Sequence, residues 1–244
     1  MAFAEVQPGV LRLGSWMINW YLVADDDGVT IVDCGASKYR SQLEPGLAQL
    51  GRTLEDVRAV ILTHGDGDHI GFAGNLQKER ELPVLIHPAD AEQARKAGNR
   101  PREGRFLPYL RYGATWKTIG VFARGGFPVK VPNPETFEDG AVLDVPGKPR
   151  VIHAPGHSPG CVAFHFQAHD ALIVGDVLFS YNVLTGRVGP QISPSAFNTS
   201  SDQALASLSN IEGIEAGVVL VGHGEPWTGG VAEAVAAARA AGKS

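Results

Sequence analysis

Four short apolar runs in this chain each stop at glycines and metal-competent side chains, and any fold the chain adopts must accommodate those endings together. Val57 to Leu62 leads into Thr63-His64-Gly65-Asp66-Gly67-Asp68-His69, and the run ending at Ile152 leads into His153-Ala154-Pro155-Gly156-His157-Ser158-Pro159-Gly160. Ala171 to Val174 is followed by Gly175-Asp176, and Val218 to Val221 by Gly222-His223-Gly224. Short continuous apolar runs read as buried strands, and the Gly and Pro after them force tight loops that leave one side chain free to point inward. Imidazole suits Zn, Fe and related ions, while a carboxylate can bridge two cations. His64, Asp66, Asp68, His69, His157, Asp176 and His223 are too many donors for one tetrahedral ion and fit two ions that share a carboxylate.

The pattern around these endings alternates between strand and helix. Val10 to Leu13, Ile18 to Ala24 and Val29 to Val32 read as strands, with Asp25-Asp26-Asp27-Gly28 as the hairpin turn. Helices are predicted over Ser37 to Leu50, interrupted near Pro45, over Gly71 to Arg80, and over Ala89 to Ala97 with Asp90 and Glu92 in its first turn. Val84 to His87 reads as the strand between the last two. The second half predicts strands at Ala141 to Val145, Arg150 to His153, Cys161 to Phe166 and Ala171 to Val174. A helix follows at Gln203 to Leu208, then the strand Val218 to Val221 and an Ala-rich helix over Val231 to Ala240. Strands punctuated by helices, twice over, predict two sheets packed together with helices outside.

Residues 98 to 132 break the alternation. Arg100, Arg102, Arg105, Arg111, Lys117, Arg124 and Lys130 face a single acid, Glu103, and aromatic residues are interleaved among them. Such an insertion reads either as a lid or substrate wall, or as a surface excursion or a contact in a homo-oligomer. Over a site, its positive charge would favour an anionic small-molecule substrate.

At 244 residues and 44% hydrophobic content one domain, 1–244, is expected. A formal charge of -5 excludes the global basic field that holds nucleic acid. The opening stretch MAFAEVQPGVLRLG lacks a basic n-region and a long apolar h-region, and no apolar run is long enough for a membrane span, so a cytoplasmic protein without a membrane partner is expected. Cys34 and Cys161 lie far apart and form no CxxC, which predicts reduced, partly buried thiols rather than a disulfide.

The order HxDxDH, PGHSPG, a lone Asp after an apolar strand, then GHG resembles the metallo-β-lactamase superfamily, whose usual first motif is HxHxDH. The likeness spans roughly residues 10 to 240. It implies an α+β fold, a four-layer αββα sandwich of two mixed sheets flanked by helices, with a binuclear site at one edge. By motif position, His64, Asp66 and His157 would hold the first metal, Asp68, His69 and His223 the second, and Asp176 would bridge them. Asp33 of Val32-Asp33-Cys34-Gly35 matches an acid that orients the metal loop.

The chain departs from the motif at Asp66, where most members have His. Asp is shorter and harder than imidazole and adds negative charge. Two zinc ions, iron or manganese, or a single ion at the second site are all compatible with that change. The mechanism implied is hydrolysis by a metal-bound hydroxide, with Asp68 holding a metal and passing a proton to the leaving group, and Tyr181 as a candidate hydrogen-bond donor to a tetrahedral oxyanion. Esters, lactones and thioesters are the favoured substrates. An iron-dependent oxidoreductase of the same fold, flavodiiron or sulfur dioxygenase-like, is the alternative, as are phosphodiester and β-lactam hydrolysis. Phe179 stands where lactonase-like members carry Tyr, which weakens the lactone case. The roughly 20 residues after His223 are too few for the helical domain of glyoxalase II-like enzymes.

Overall fold

The first four strands zip up in chain order. In the computed structural model, which describes residues 3–244, β1 (Ala4–Gln7), β2 (Val10–Gly14), β3 (Asn19–Asp25) and β4 (Gly28–Val32) form an antiparallel meander, with Asp25 opposite Gly28 at the predicted turn. Met1 and Ala2, which begin the stretch read above for a leader and the expected domain, lie outside the described residues. A 3-10 turn and α1 (Leu43–Gln49) carry the chain to β5 (Val57–Ile61), parallel to β4. After α2 (Gly67–Ile70) and α3 (Ala73–Arg80) come β6 (Val84–Ile86), α4 (Pro88–Lys96), α5 (Gly113–Gly125) and β7 (Glu135–Thr136), completing a seven-stranded sheet in sequence order.

The second sheet is built from β8 (Arg150–His153), β9 (Val162–Phe166), β10 (Ala171–Gly175) and a strand that arrives late. Between them the chain makes a hairpin, β11 (Phe179–Tyr181) with β12 (Val188–Gln191), and two short helices, α6 (Ser201–Ser207) and α7 (Ser209–Glu212). β13 (Val218–Val221) then joins β10, giving the order β13-β10-β9-β8, and α8 (Val231–Ala241) packs back over it.

Side-chain alternation along the strands explains the layers. Tyr21, Val23, Phe164, Phe166, Ile173 and Leu220 point between the sheets and form one apolar cluster. Their neighbours point outward: Trp20 and Leu22 meet Leu43 and Leu47 of α1 and Ala94 of α4, while Leu172, Val174 and Val219 meet Leu208, Val235 and Ala238. Three apolar interfaces thus separate four layers, helix, sheet, sheet and helix. Strands covered on both faces are apolar at nearly every position, which is why they appear in the sequence as near-continuous runs.

Several boundaries differ from expectation. Pro45 does not interrupt a helix; it sits in the first turn of α1, after a 3-10 turn over Ser37–Gln42, where its missing N–H costs nothing. Ala141 to Val145 is not a strand. Val142 makes one isolated bridge to Arg150, and the chain then turns at Gly147 and Lys148, both at positive φ, before β8 begins. The β11–β12 hairpin went unpredicted, because Pro190 and Gly189 obscure a strand that pairs only on one side.

The topology places the site. β8 and β10 each run antiparallel to β9, and β10 runs parallel to β13, so β8, β10 and β13 share one direction. Their C-terminal ends, which carry His157, Asp176 and His223, therefore emerge along one edge of the second sheet. A backbone bond from Val162 N–H to the Thr63 carbonyl, 2.9 Å, brings the end of β5 to the same edge. Among the described residues no helix is long and apolar enough to cross a membrane.

Candidate metal centre

Asp33, immediately after β4, sits at φ 60 in the left-handed region, a conformation that Asp tolerates better than most residues. Its carboxylate, buried at 2% exposure, accepts from Thr63 N–H at 2.8 Å and from Thr63 Oγ1 at 2.8 Å. It also accepts from His69 Nδ1 at 2.8 Å. One acid thus fixes both the start and the end of the His64–His69 loop, as the resemblance implies. Gly175 closes the approach from the other sheet: at φ +48, any Cβ there would lie 2.4 Å from Thr63 Oγ1.

Each of the four imidazoles in the cluster is held by its Nδ1. His223 Nδ1 donates to the Met17 carbonyl at 2.8 Å, and His69 Nδ1 to Asp33. His64 Nδ1 meets Thr63 Oγ1 at 3.0 Å, whose own proton goes to Asp33. His157 Nδ1 lies 3.1 Å from Ser193 Oγ and 3.4 Å from Asn198 Oδ1. Oxygen acceptors on Nδ1 orient each ring and turn each Nε2 into common space.

The donors converge on the scale of ions. His157 Nε2 lies 3.2 Å from His64 Nε2, 3.1 Å from Asp66 Oδ2 and 3.4 Å from Asp176 Oδ2. His223 Nε2 lies 3.4 Å from Asp68 Oδ2 and 3.3 Å from Asp176 Oδ2, and His69 Nε2 is 3.3 Å from Asp176 Oδ1. Donors about 2.0–2.1 Å from one tetrahedral zinc stand about 3.3 Å apart, so the spacing suits such ions. Three candidate clusters result, His64/Asp66/His157, His64/His69/Asp176 and Asp68/His69/His223. Two buried atoms here, His69 Nε2 and Asp176 Oδ1, have no hydrogen-bond partner, and buried polar atoms are rarely left so. Gly222 keeps the space open, since a Cβ there would lie 2.3 Å from Asp176 Oδ1. All seven side chains predicted as ligands are brought together, and the residues present fit a metal.

Electrostatics agree. Burial, with His69 and His157 alongside, holds His64 well below the usual imidazole range. Burial would also lower His69, but Asp176, Asp33 and Asp68 outweigh it and push its pKa well up; His223 is raised against burial chiefly by Asp176. Burial would raise Asp176, yet His223, His69 and His157 hold it well below the carboxylate range. Carboxylates that draw protons onto buried imidazoles form a site suited to a cation.

A cleft of about 400 Å³ opens above the cluster, with Asp66, Asp68, Asp176 and His223 in its floor. From residues 98–132, Asn99, Arg102, Phe122 of α5 and Phe127 line it. Arg102 also stacks over the Phe197 ring at 5.4 Å. Tyr181 is not brought to this cleft. Its ring packs edge-on to Trp16, 5.6 Å between centroids, and lines a separate depression with Val188 and Trp227. The backbone of β11 stays beside the site, with Tyr181 N–H donating to the His223 carbonyl at 3.2 Å, but the tyrosine ring lies on the Trp16 side.

Two residues at the site stand out only in three dimensions. Asp90, 1% exposed, accepts from Gly65 N–H at 3.1 Å, Ser158 Oγ at 2.5 Å and Gly160 N–H at 2.8 Å, clamping the His64 loop to the His157 loop. Arg100 forms a buried ion pair with Asp66. Sequence signals for both existed, a first-turn acid and a basic run, but both have common surface explanations.

Comparison with known proteins places this geometry. A family model of the metallo-beta-lactamase superfamily matches residues 13–223. The chain belongs to that superfamily of metallo-hydrolases. Probable metallo-hydrolase YflN of Bacillus subtilis (strain 168) is 28% identical over 236 residues, 92% of this chain and 87% of that protein. A hydroxyacylglutathione hydrolase of Xanthomonas axonopodis pv. citri (strain 306) is 33% identical over 189 residues, covering 78% of this chain and 55% of the relative. Among solved structures, the metallo-beta-lactamase family protein TTHA1429 of Thermus thermophilus matches at TM-score 0.69 and 25% identity, over 95% of this chain and 78% of that one. TTHA1623, solved in a di-iron-bound form, matches at TM-score 0.61 and 28% identity, over 90% of this chain and 93% of that one.

Proposed function

We propose that the protein hydrolyses a small carboxylic ester, lactone or thioester with the help of two divalent ions, zinc in the first instance. The observation that carries this reading is the convergence of four Nε2 atoms on Asp176, each imidazole pinned at Nδ1. Bound ions of this kind lower the pKa of water from 15.7 to about 7 and polarise the oxygen under attack. The chain's own residues do the rest. Asp176 stands between the two histidine sets, and Asp68, which lines the cleft beside His223, hands a proton to the leaving group in this reading. Ile18, Phe122, Phe127 and Phe197 give the cleft an apolar lining, and Arg102 offers a cation to a substrate carboxylate. No thiol competes as nucleophile, because Cys34 and Cys161 are fully buried. The hydroxyacylglutathione hydrolase relative supports a thioester within this class.

Elemental analysis of protein purified without added metal, followed by an ester, lactone, thioester and phosphodiester panel, tests the reading. Zinc and hydrolysis of one of the first three are expected, both removed by a chelator. His69→Ala is expected to keep its far-UV circular dichroism and lose hydrolysis; full activity in that variant would sink the proposal. The di-iron form of TTHA1623 favours a second reading, an iron-dependent oxidoreductase, whose signature would be bound iron and oxygen consumption with no ester cleavage.

A further inference from the structure

Asp66 replaces the histidine usual in the family's first motif, and the structure supplies a partner 34 residues further along the chain. Arg100 Nη1 donates to Asp66 Oδ1, and Gln93 Nε2 donates to the same oxygen at 2.6 Å. Oδ2 alone is left facing His157 Nε2 and, at 3.8 Å, His64 Nε2. The guanidinium is itself fixed inside the cleft wall. Its Nη2 donates to the His157 carbonyl at 2.7 Å and the Phe197 carbonyl at 2.8 Å, its Nε to the His157 carbonyl at 3.1 Å and Thr199 Oγ1 at 3.2 Å. The Arg100 side chain is 7% exposed.

We propose that Asp66 and Arg100 together take the place of a histidine, Asp66 as a one-oxygen metal donor through Oδ2 and Arg100 as the positioning residue that cancels its charge. The proposal rests on reading this site as a metal centre. Three observations carry it. With Oδ1 taken by Arg100 and Gln93, the carboxylate presents one donor atom, as imidazole does. Asp66 and Asp176 would bring two negative charges to the first ion, and the guanidinium removes one, restoring the balance of a set with a neutral histidine at 66. Finally, Arg100 spends its contacts on Asp66, on the backbone of the ligand His157 and on the segment whose Asn198 meets His157 Nδ1, so it acts through the metal donors rather than on substrate. A lysine could not do the same, because a single ammonium lacks the fork that spans these acceptors.

The test is a double-variant cycle read by metal content, by chelator competition and by far-UV circular dichroism. Wild type is expected to hold two zinc ions. Arg100→Met is expected to keep one ion tightly and bind the other about 10- to 100-fold more weakly, the range typical for loss of a residue that orients a ligand. Asp66→His alone is expected to weaken the first ion too, because it strands a buried guanidinium beside an imidazole and a cation. The double variant D66H/R100M is expected to regain two tightly held ions. Two ions held as tightly as in wild type by either single variant would overturn the proposal, as would a double variant no better than D66H. Should Arg100→Met fail to fold, the comparison of D66H with D66H/R100M still decides. If wild type takes up no metal at all, the reading of the site as a metal centre fails before the question of Arg100 arises.

Discussion

Asp90→Asn removes one negative charge from a position where three donors converge on a buried carboxylate, and its cost follows from those contacts. Oδ2 accepts from Gly65 N–H and Ser158 Oγ, and Oδ1 from Gly160 N–H. Asparagine keeps one oxygen. Turned toward Gly65 and Ser158, that oxygen preserves two bonds and points its amide N–H at Gly160 N–H, donor against donor. A buried donor left unpaired costs about 1–3 kcal/mol, and each remaining bond weakens by about 1 kcal/mol on losing its ionised partner. Relief from burying a charge offsets part of this, leaving an expected loss of about 2–4 kcal/mol. For a chain of 244 residues, a change of that size lowers the melting temperature by roughly 4–8 °C. Thermal and urea unfolding of chelator-treated protein, followed by circular dichroism, measures it without contribution from bound metal. Because Gly65 adjoins His64 and the clamp reaches the His157 loop, weaker retention of the first ion is expected alongside. A loss below about 0.5 kcal/mol with unchanged metal retention would refute the idea that Asp90 joins the two loops.

Tyr181→Phe is expected to leave the turnover of whichever substrate the panel identifies within about twofold, since the ring packs on Trp16 outside the cleft; a loss of tenfold or more, about 1.4 kcal/mol in the barrier, would restore it to the mechanism. Burial, with Asp33 adding for Cys34 and Asp176 and Asp90 for Cys161, pushes both thiols well up. The native protein should therefore resist thiol reagents at pH 8 and react at both cysteines once unfolded. Since the folded state holds these protons more tightly than the unfolded chain, stability present below the ordinary thiol pKa of about 8.5 should decline as pH rises beyond it. Rapid labelling of the native protein, or stability that rises with pH there, would contradict the burial of these groups.

The strands and the side chains that cluster at their ends were readable in the sequence because their signals are local. Val218–Val221 appears as the same four residues in sequence and structure, since a strand covered on both faces is apolar throughout and ends where glycine begins. The Gly-Asp and Gly-His endings gave away Asp176 and His223 for the same reason. Signals weakened where a segment depended on a distant partner. Ala141 to Val145 has the composition of a strand, but the turn at Gly147 leaves it one bridge to Arg150. The β11–β12 hairpin carries Gly189 and Pro190 in its second strand, which hides it, and the packing of the Tyr181 ring on Trp16 outside the cleft has no local signal.

By itself, then, the sequence determined the superfamily, the two-sheet sandwich and the seven side chains that meet at its edge, because each of these is written in short apolar runs and the few residues that end them. Only the tertiary structure decided how those side chains are held. Asp90 reads as a helix-start acid until the Gly65 and Gly160 loops close on it, and Arg100 reads as one cation in a basic run until it meets Asp66. The physical reason is that a buried charge must find its counter-charge or its hydrogen-bond donors somewhere in space, and along a folded chain those partners lie far from it in sequence.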